Sequence, residues 1–323
     1  MGYNSLISRT DAAALIPEDV SREIIQSLPQ RSAVMQIARR LPNMGRAQQR
    51  MPVMSALATA YFVSGDTGLK QTTEVNWENK YIDAAELACI VPIPESVLDD
   101  ADYDIWAEIR PSIEEAMGKA VDEAVLWGTN IPATWTTNLG AAGIKAVCTA
   151  ASQTISLAAY ADLYEAIMGE TDGGTAGALM LIEADGYMAT GHIADLSMRG
   201  KLRNCRDSNG VPIFSRSMQD LARYDLDGAP VVFPTNGAIT STNGLLVSGD
   251  WQKLVYAIRQ DITYKVLDQA VIQDAGGNII YNLAQQDMIA LKAVLRLGFA
   301  LPNPINRVQE TAASRCAFAC LTS

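Results

Sequence analysis

Between Ile105 and Trp127 the chain repeats apolar residues at three- and four-residue steps, through Ile109, Ile113, Ala116, Met117, Ala120, Val121 and Ala124. That spacing predicts one helical stripe. Asp104 has the chemistry of an N-cap, Glu108 sits near the positive end of the helix dipole, and Gly128 can take the left-handed C-terminal position. Such a helix is about 35 Å long at ~1.5 Å per residue. Pro111 removes one i→i−4 hydrogen bond, so a bend rather than a break is expected there. An element of that length acts as a beam, and the rest of the chain must be hung on it.

The 323 residues are ample for a buried core, and length alone would allow two domains. Lys and Arg total 25 against 36 Asp and Glu, a net charge of −11. Gripping phosphates takes a basic face, so this balance argues against tight nucleic-acid binding but allows nucleic acid to be walled in. No run approaches the ~20 apolar residues of a membrane-spanning helix, and the N-terminus lacks the charged and apolar halves of a secretion signal. Five scattered cysteines, an odd number, do not make a disulfide framework, which points to synthesis in a reducing cytoplasm. Cys316 and Cys320 have no second pair and no nearby His, and read as small buried thiols rather than zinc ligands.

In chain order, 15–28 reads as a short helix stopped by Pro29. Ser32 caps a second helix through Arg40, with Val34, Ile37, Ala38 and Leu41 on one side. Arg39, Arg40, Arg46 and Arg50 follow as a basic run. Singly each belongs to a solvated face; together they could pair with carboxylates on another copy. The stretches 51–63 and 73–91 predict two strands joined by a turn at 64–71. The hairpin they form has no second sheet nearby, and a two-stranded hairpin is marginal alone in water, so a neighbouring subunit is the economical cover. Further on, 156–168 predicts a helix, 172–177 a turn, 178–182 a strand, and 196–214 a helix end, a turn at 207–210 and a strand. The segment 226–233 predicts a turn and a short buried strand, and 249–270 a strand with Leu254, Tyr256 and Ile258 on one face. A hairpin over 270–281 and a last helix over 287–297 follow, before Pro302 and Pro304 lead into a final strand.

Catalytic constellations are scarce. His192 is the single histidine; with Asp195 it could form an oriented base, but no nucleophile elbow accompanies it and a structural role is favoured. Asp100, Asp102 and Asp104 begin like a calcium loop, yet Ile105 and Pro111 stand where Gly and Glu are needed. Those acids more simply mark a helix N-terminus. No enzyme activity, cofactor or metal is expected.

Taken in order, the arm helices with their basic run, the long hairpin, PIPESVLDDADYD before the spine helix ending LWGTN, KLRNCRDSNGVPIF, LDGAPVV, SGDWQKLVYAIRQDITYKV and LAQQDMIALKAVLRLGFALPNP resemble the capsid family of tailed bacteriophages, with the Hong Kong 97-like fold. The resemblance implies an α+β chain divided into an N-terminal arm (1–50), an extended loop (51–84), a peripheral domain with the spine helix (85–150), an axial domain (151–259), peripheral return strands and helix (260–310) and a C-terminal, axial strand (311–323). It implies self-assembly into pentamers and hexamers that close an icosahedral shell around double-stranded DNA, without sequence-specific binding and without a membrane. Portal and scaffolding proteins are the implied partners, with a decoration protein as a further candidate, and the implied location is the virion capsid after synthesis in the host cytoplasm. Inter-subunit contact candidates are Arg39, Arg40, Arg46, Arg50, Asp66, Lys70 and Trp77. The chain begins almost at the arm, so a separate scaffold is expected, a leader cleaved before Met1 being the lesser alternative. Some family members join a loop lysine to a neighbour's asparagine beside a glutamate. Lys70 or Lys80 could supply the amine here, but the partner positions, placed in the last helix, read Asp287 and Val294, so no such link is expected. An encapsulin-like compartment shares the fold and is the alternative; a cytoplasmic hydrolase built on His192 and Asp195 is the remote one.

Overall fold

The computed structural model describes residues 32–63, 68–100, 104–169, 175–205, 225–274 and 276–323. The helix expected over 15–28, Asp66, the turn at 207–210 with the strand expected after it to 214, and the first halves of the turns at 64–71 and 172–177 lie outside these residues. In chain order the first elements are α1 (Ala33–Ile37), β1 (Arg39–Arg40), β2 (Gln48–Ala56), β3 (Asn76–Asp83), β4 (Ala85–Pro94), α2 (Glu95–Asp100) and the spine helix α3 (Ile105–Trp127). Next come α4 (Thr136–Leu139), α5 (Gly143–Ala150), β5 (Thr154–Ser156), α6 (Leu163–Met168), α7 (Ala178–Ala184), β6 (Gly191–Ala194) and α8 (Met198–Asn204). The chain closes with β7 (Asp225–Leu226), β8 (Ala229–Val232), β9 (Leu246–Gly249), β10 (Val255–Leu267), β11 (Val271–Gln273), β12 (Ile279–Asn282), β13 (Met288–Ala300) and β14 (Phe318–Thr322).

The spine has the bounds its caps dictate. The Asp104 carboxylate accepts from the Ala107 N–H at 3.2 Å, and Gly128 sits at φ 73°. A Cβ on Gly128 would lie 2.3 Å from the Ala141 carbonyl, so glycine is required there by space as well as by φ. Ile113, Met117, Val121, Ala124 and Trp127 are buried as the stripe predicts, while Ala116 is exposed. Gly118, Asp122, Val125 and Leu126 are buried as well.

Two sheets flank the beam. A four-stranded sheet in the order β1-β10-β13-β4 shares one apolar core with the spine helix, and a six-stranded sheet runs β5-β14-β9-β6-β8-β7. The pairs β2-β3 and β11-β12 stand apart as two-stranded ribbons. The face of the four-stranded sheet turned away from the spine is only half covered. Met44 and Ile82 pack there against Val255, Ala257 and Ala300. Gly298 makes this possible: a Cβ would lie 2.6 Å from both the Asp83 carbonyl and Ile82 Cγ2, so only glycine lets the hairpin base cross the strand.

Several expected elements take other forms, mostly where long-range pairing overrides local propensity. The helix expected through Arg40 ends at Ile37, because Arg39 and Arg40 pair in parallel with Val255 and Tyr256. The expected strand over 73–91 divides at Ala84; β3 pairs with β2, and β4 with β13. The segment 156–168 divides into β5, a 3-10 turn at Leu157–Ala159 and α6. The expected strand 178–182 is the helix α7, in which Ala178, Leu179 and Ile182 are buried at helical spacing. The strand expected from 249 starts at Val255, and Gly249 belongs to β9. The last helix does not exist. Residues 288–300 form β13, hydrogen-bonded to β10 on one side and β4 on the other. Leu291, Ala293, Leu295, Leu297 and Phe299 are buried at period two.

Candidate assembly surfaces

The β2-β3 ribbon is anchored at its base and bare along one face. Trp135 Nε1 donates to the Asp83 carbonyl at 2.8 Å, and Asn138 Nδ2 to that of Tyr81 at 2.9 Å. A second anchor is the loop after β13: the Ile305 N–H donates to the Met54 carbonyl at 3.3 Å, and Arg307 to that of Ala58 at 2.7 Å. That loop is held in shape by Arg315, which is buried and has no ion-pair partner among the described residues. Its guanidinium donates to Asn303 Oδ1 at 3.0 Å and to the carbonyls of Asn303, Gln309 and Glu310 at 2.9, 2.9 and 3.1 Å. Four acceptors satisfy the fork, so a buried cation is tolerated.

The register pairs Met54 with Trp77 and Arg50 with Tyr81 on one face of the ribbon. Trp77 is 67% exposed, Met54 39% and Tyr81 40%; further along, Phe62 is fully exposed and Leu69 nearly so. Large apolar side chains arrayed on an anchored, extended arm can do one thing chemically, which is bury themselves against another molecule.

The residues expected at contacts are all on the surface where described. Arg39, Arg40, Arg46 and Arg50 are exposed along the chain from β1 into β2, and Arg40 bonds Asn43 Oδ1 at 3.1 Å. Lys70 and Trp77 are exposed on the ribbon and its distal loop. Lys80 is taken by Glu78 at 3.0 Å. Asp287 sits in a turn at φ 46°, and Val294 lies within β13. Seven residues of strand span about 23 Å at ~3.3 Å each, so within one subunit these two positions lie far apart.

Asp122 is the residue that the sequence reading missed. It lies on the spine helix, fully buried, and accepts from Ser32 Oγ at 2.5 Å, the N–H groups of Ala33 and Val34 at 2.9 and 3.1 Å, and Asn236 Nδ2 at 3.0 Å. Burial pushes its carboxyl above the usual range, against the pull of those four donors. Asp122 thus clamps the start of α1 to the spine. An acid four residues from Gly118, beside the apolar stripe, was the available signal.

His192 and Asp195 are not brought together. His192 is buried in β6, with Nδ1 2.8 Å from Ser248 Oγ and Nε2 3.1 Å from the Leu226 carbonyl, while Asp195 accepts from the Ser197 hydroxyl. Burial lowers the imidazole to about 4, partly offset by the Leu226 carbonyl and the Asp227 charge. It is a neutral core histidine that donates through Nε2 and accepts through Nδ1. Cys316 and Cys320 are buried.

The sequence profile of the phage capsid family matches residues 12–306. The chain belongs to that family. The major capsid protein of Staphylococcus phage 80alpha is 28% identical over 282 residues, covering 85% of this chain and 78% of the relative. A solved structure from Microbacterium phage Oxtober96 superposes with a TM-score of 0.82 at 31% identity, over 98% of this chain and 99% of that one. A second, from Mycobacterium phage Bobi, gives 0.79 at 31% identity over the same shares. The α+β capsid fold is therefore shared across almost the whole chain, hairpin included. Among the described residues no helix is long and apolar enough to cross a membrane.

Proposed function

We propose that this chain is the major capsid protein of a phage and that copies of it close into an icosahedral shell, the β2-β3 ribbon of each lying on its neighbour. The observation that carries the ribbon's role is its bare face of Met54, Trp77 and Tyr81, on a ribbon held to its own subunit at its base and through the carbonyls of Met54 and Ala58. No second sheet within the described residues covers it. A ribbon that cannot bury itself is a connector. We assign residues 1–50 to an arm, 51–84 to the extended loop, 85–150 and 260–310 to a peripheral domain around the spine, and 151–259 with 311–323 to an axial domain. Arg39, Arg40, Arg46, Arg50, Asp66, Lys70 and Trp77 are the contact candidates. The shell is proposed to enclose double-stranded DNA; the charge of −11 favours confining phosphate over adhering to it. Scaffolding and portal proteins would guide assembly in the host cytoplasm, a decoration protein could cover the outside, and the role of the chain would be structural rather than catalytic.

The test is Trp77→Ser. The indole touches none of the subunit's core, so the subunit should stay soluble and folded by circular dichroism, while the yield of fast-sedimenting particles falls at least about tenfold. Normal particle yield from this variant would count against the ribbon as a connector.

A further inference from the structure

We infer that the uncovered half of the four-stranded sheet binds the acidic α2 corner of a second copy of the chain. This rests on the capsid assignment above and adds a second contact, apart from the ribbon. The covered half ends near Gly298. Beyond it, Lys265 on β10 lies directly opposite Lys292 on β13, which lies opposite Ile90 on β4; Ile90 is 41% exposed. Like charges directly opposite destabilise a sheet. Among the described residues neither lysine has an ion-pair partner. Glu86, a carboxylate on that face, is engaged by Arg296, whose Nε lies 3.9 Å away. The face is therefore basic and partly apolar, with Lys265, Ala88 and Ile90 exposed, Lys292 half-buried and Ala290 beside it buried, on a chain with 11 more acids than bases.

The complementary surface is the corner after β4. Asp99 and Asp100 end α2, where the helix dipole favours cations, and both are exposed with no ion pair among the described residues. Glu95 starts the same helix, and Asp104 is committed to capping the spine. Neither local helix chemistry nor an ion pair explains Asp99 and Asp100, and neither explains the lysine pair. Each explains the other if they meet between copies. Both patches lie toward the same end of the sheet, since Pro94 pairs with Met288 only a few residues from Ile90 and Lys292. A head-to-tail contact between two different patches closes into a ring when its rotation permits, here around an axis at that end of the sheet.

Charge swapping tests this with the full-length chain. Lys265→Glu with Lys292→Glu should leave the subunit soluble and folded by circular dichroism, since Lys265 is exposed and Lys292 half-exposed, and should lower shell yield on sucrose gradients about tenfold through carboxylate repulsion. Adding Asp99→Lys and Asp100→Lys to that variant should bring the yield back to within about twofold of wild type. Full shell yield from the lysine reversal alone overturns the proposal. So does a lysine reversal that the aspartate swap fails to rescue, because the lysines would then face some other partner. A wild-type chain that stays monomeric with scaffold and portal supplied overturns the capsid assignment itself, a different result from either.

Discussion

Acidification should destabilise the subunit through His192, by an amount that its surroundings fix. In the unfolded chain the imidazole titrates near 6.5; in the folded one burial holds it down to about 4. Below about pH 6.5 the unfolded state takes up a proton that the folded state refuses, so stability falls as pH falls and the loss is complete only below about pH 4. The full difference is about 3 kcal/mol, and about 2 kcal/mol of it should appear between about pH 8 and about pH 5. That is a large part of a typical domain's margin. Because the chain has one histidine, no other imidazole contributes in this window. Asp122 acts in the opposite sense: its folded pKa is raised, so its own share grows as pH falls toward that value. The assay is urea unfolding of unassembled subunits at both pH values, at a concentration where dilution does not move the midpoint. His192→Gln supplies the reference, since a glutamine brings a fixed offset but no titration. The wild-type loss on acidification should exceed that of His192→Gln by about 2 kcal/mol. Equal losses in the two proteins would show that His192 titrates normally, and hence that it is not enclosed as described.

Asp122→Ala should cost about 3–5 kcal/mol, because it leaves four donors at the α1–spine junction without an acceptor in a buried site; a loss below about 1 kcal/mol in the same unfolding assay would mean that water replaces the carboxylate freely. Deleting 64–71 with a short bridge should leave the subunit folded and weaken assembly; normally stable shells at normal yield would remove the tip from the assembly contacts. Boiling mature particles in detergent should give one band near 34.8 kDa, since Asp287 offers a carboxylate rather than a carboxamide, Val294 has no proton acceptor and Lys80 is paired with Glu78; a high-mass ladder that survives reducing agent would reveal covalent links.

The beam was legible because its boundaries are local. Asp104 and Gly128 act within one turn of themselves, and the stripe between them needs only the helical period. The strand β13 was not legible for the opposite reason. Met288, Leu291 and Leu295 fit a helical phase, and Ala, Leu and Lys favour helix, but β13 is stabilised by ladders to β10 and β4 that no local window contains. The competing alternation of Leu291, Ala293, Leu295, Leu297 and Phe299 was present in the sequence and is what the sheet uses. Asp122 illustrates a third limit: its partners Ser32 and Asn236 are about 90 and 114 residues away, so its role exists only in the fold. The ribbon's exposure was foreseeable from its thin apolar content, whereas its anchoring by Trp135, Asn138 and Arg307 was not.

Electron microscopy of particles purified from cells making the full-length chain tests self-assembly most directly. Closed icosahedral shells should be seen, and at a resolution that traces the chain the 51–84 ribbon of each subunit should lie across a neighbouring copy with Trp77 covered. A chain that remains a compact monomer at high concentration, or shells in which every ribbon folds back on its own subunit, would contradict it.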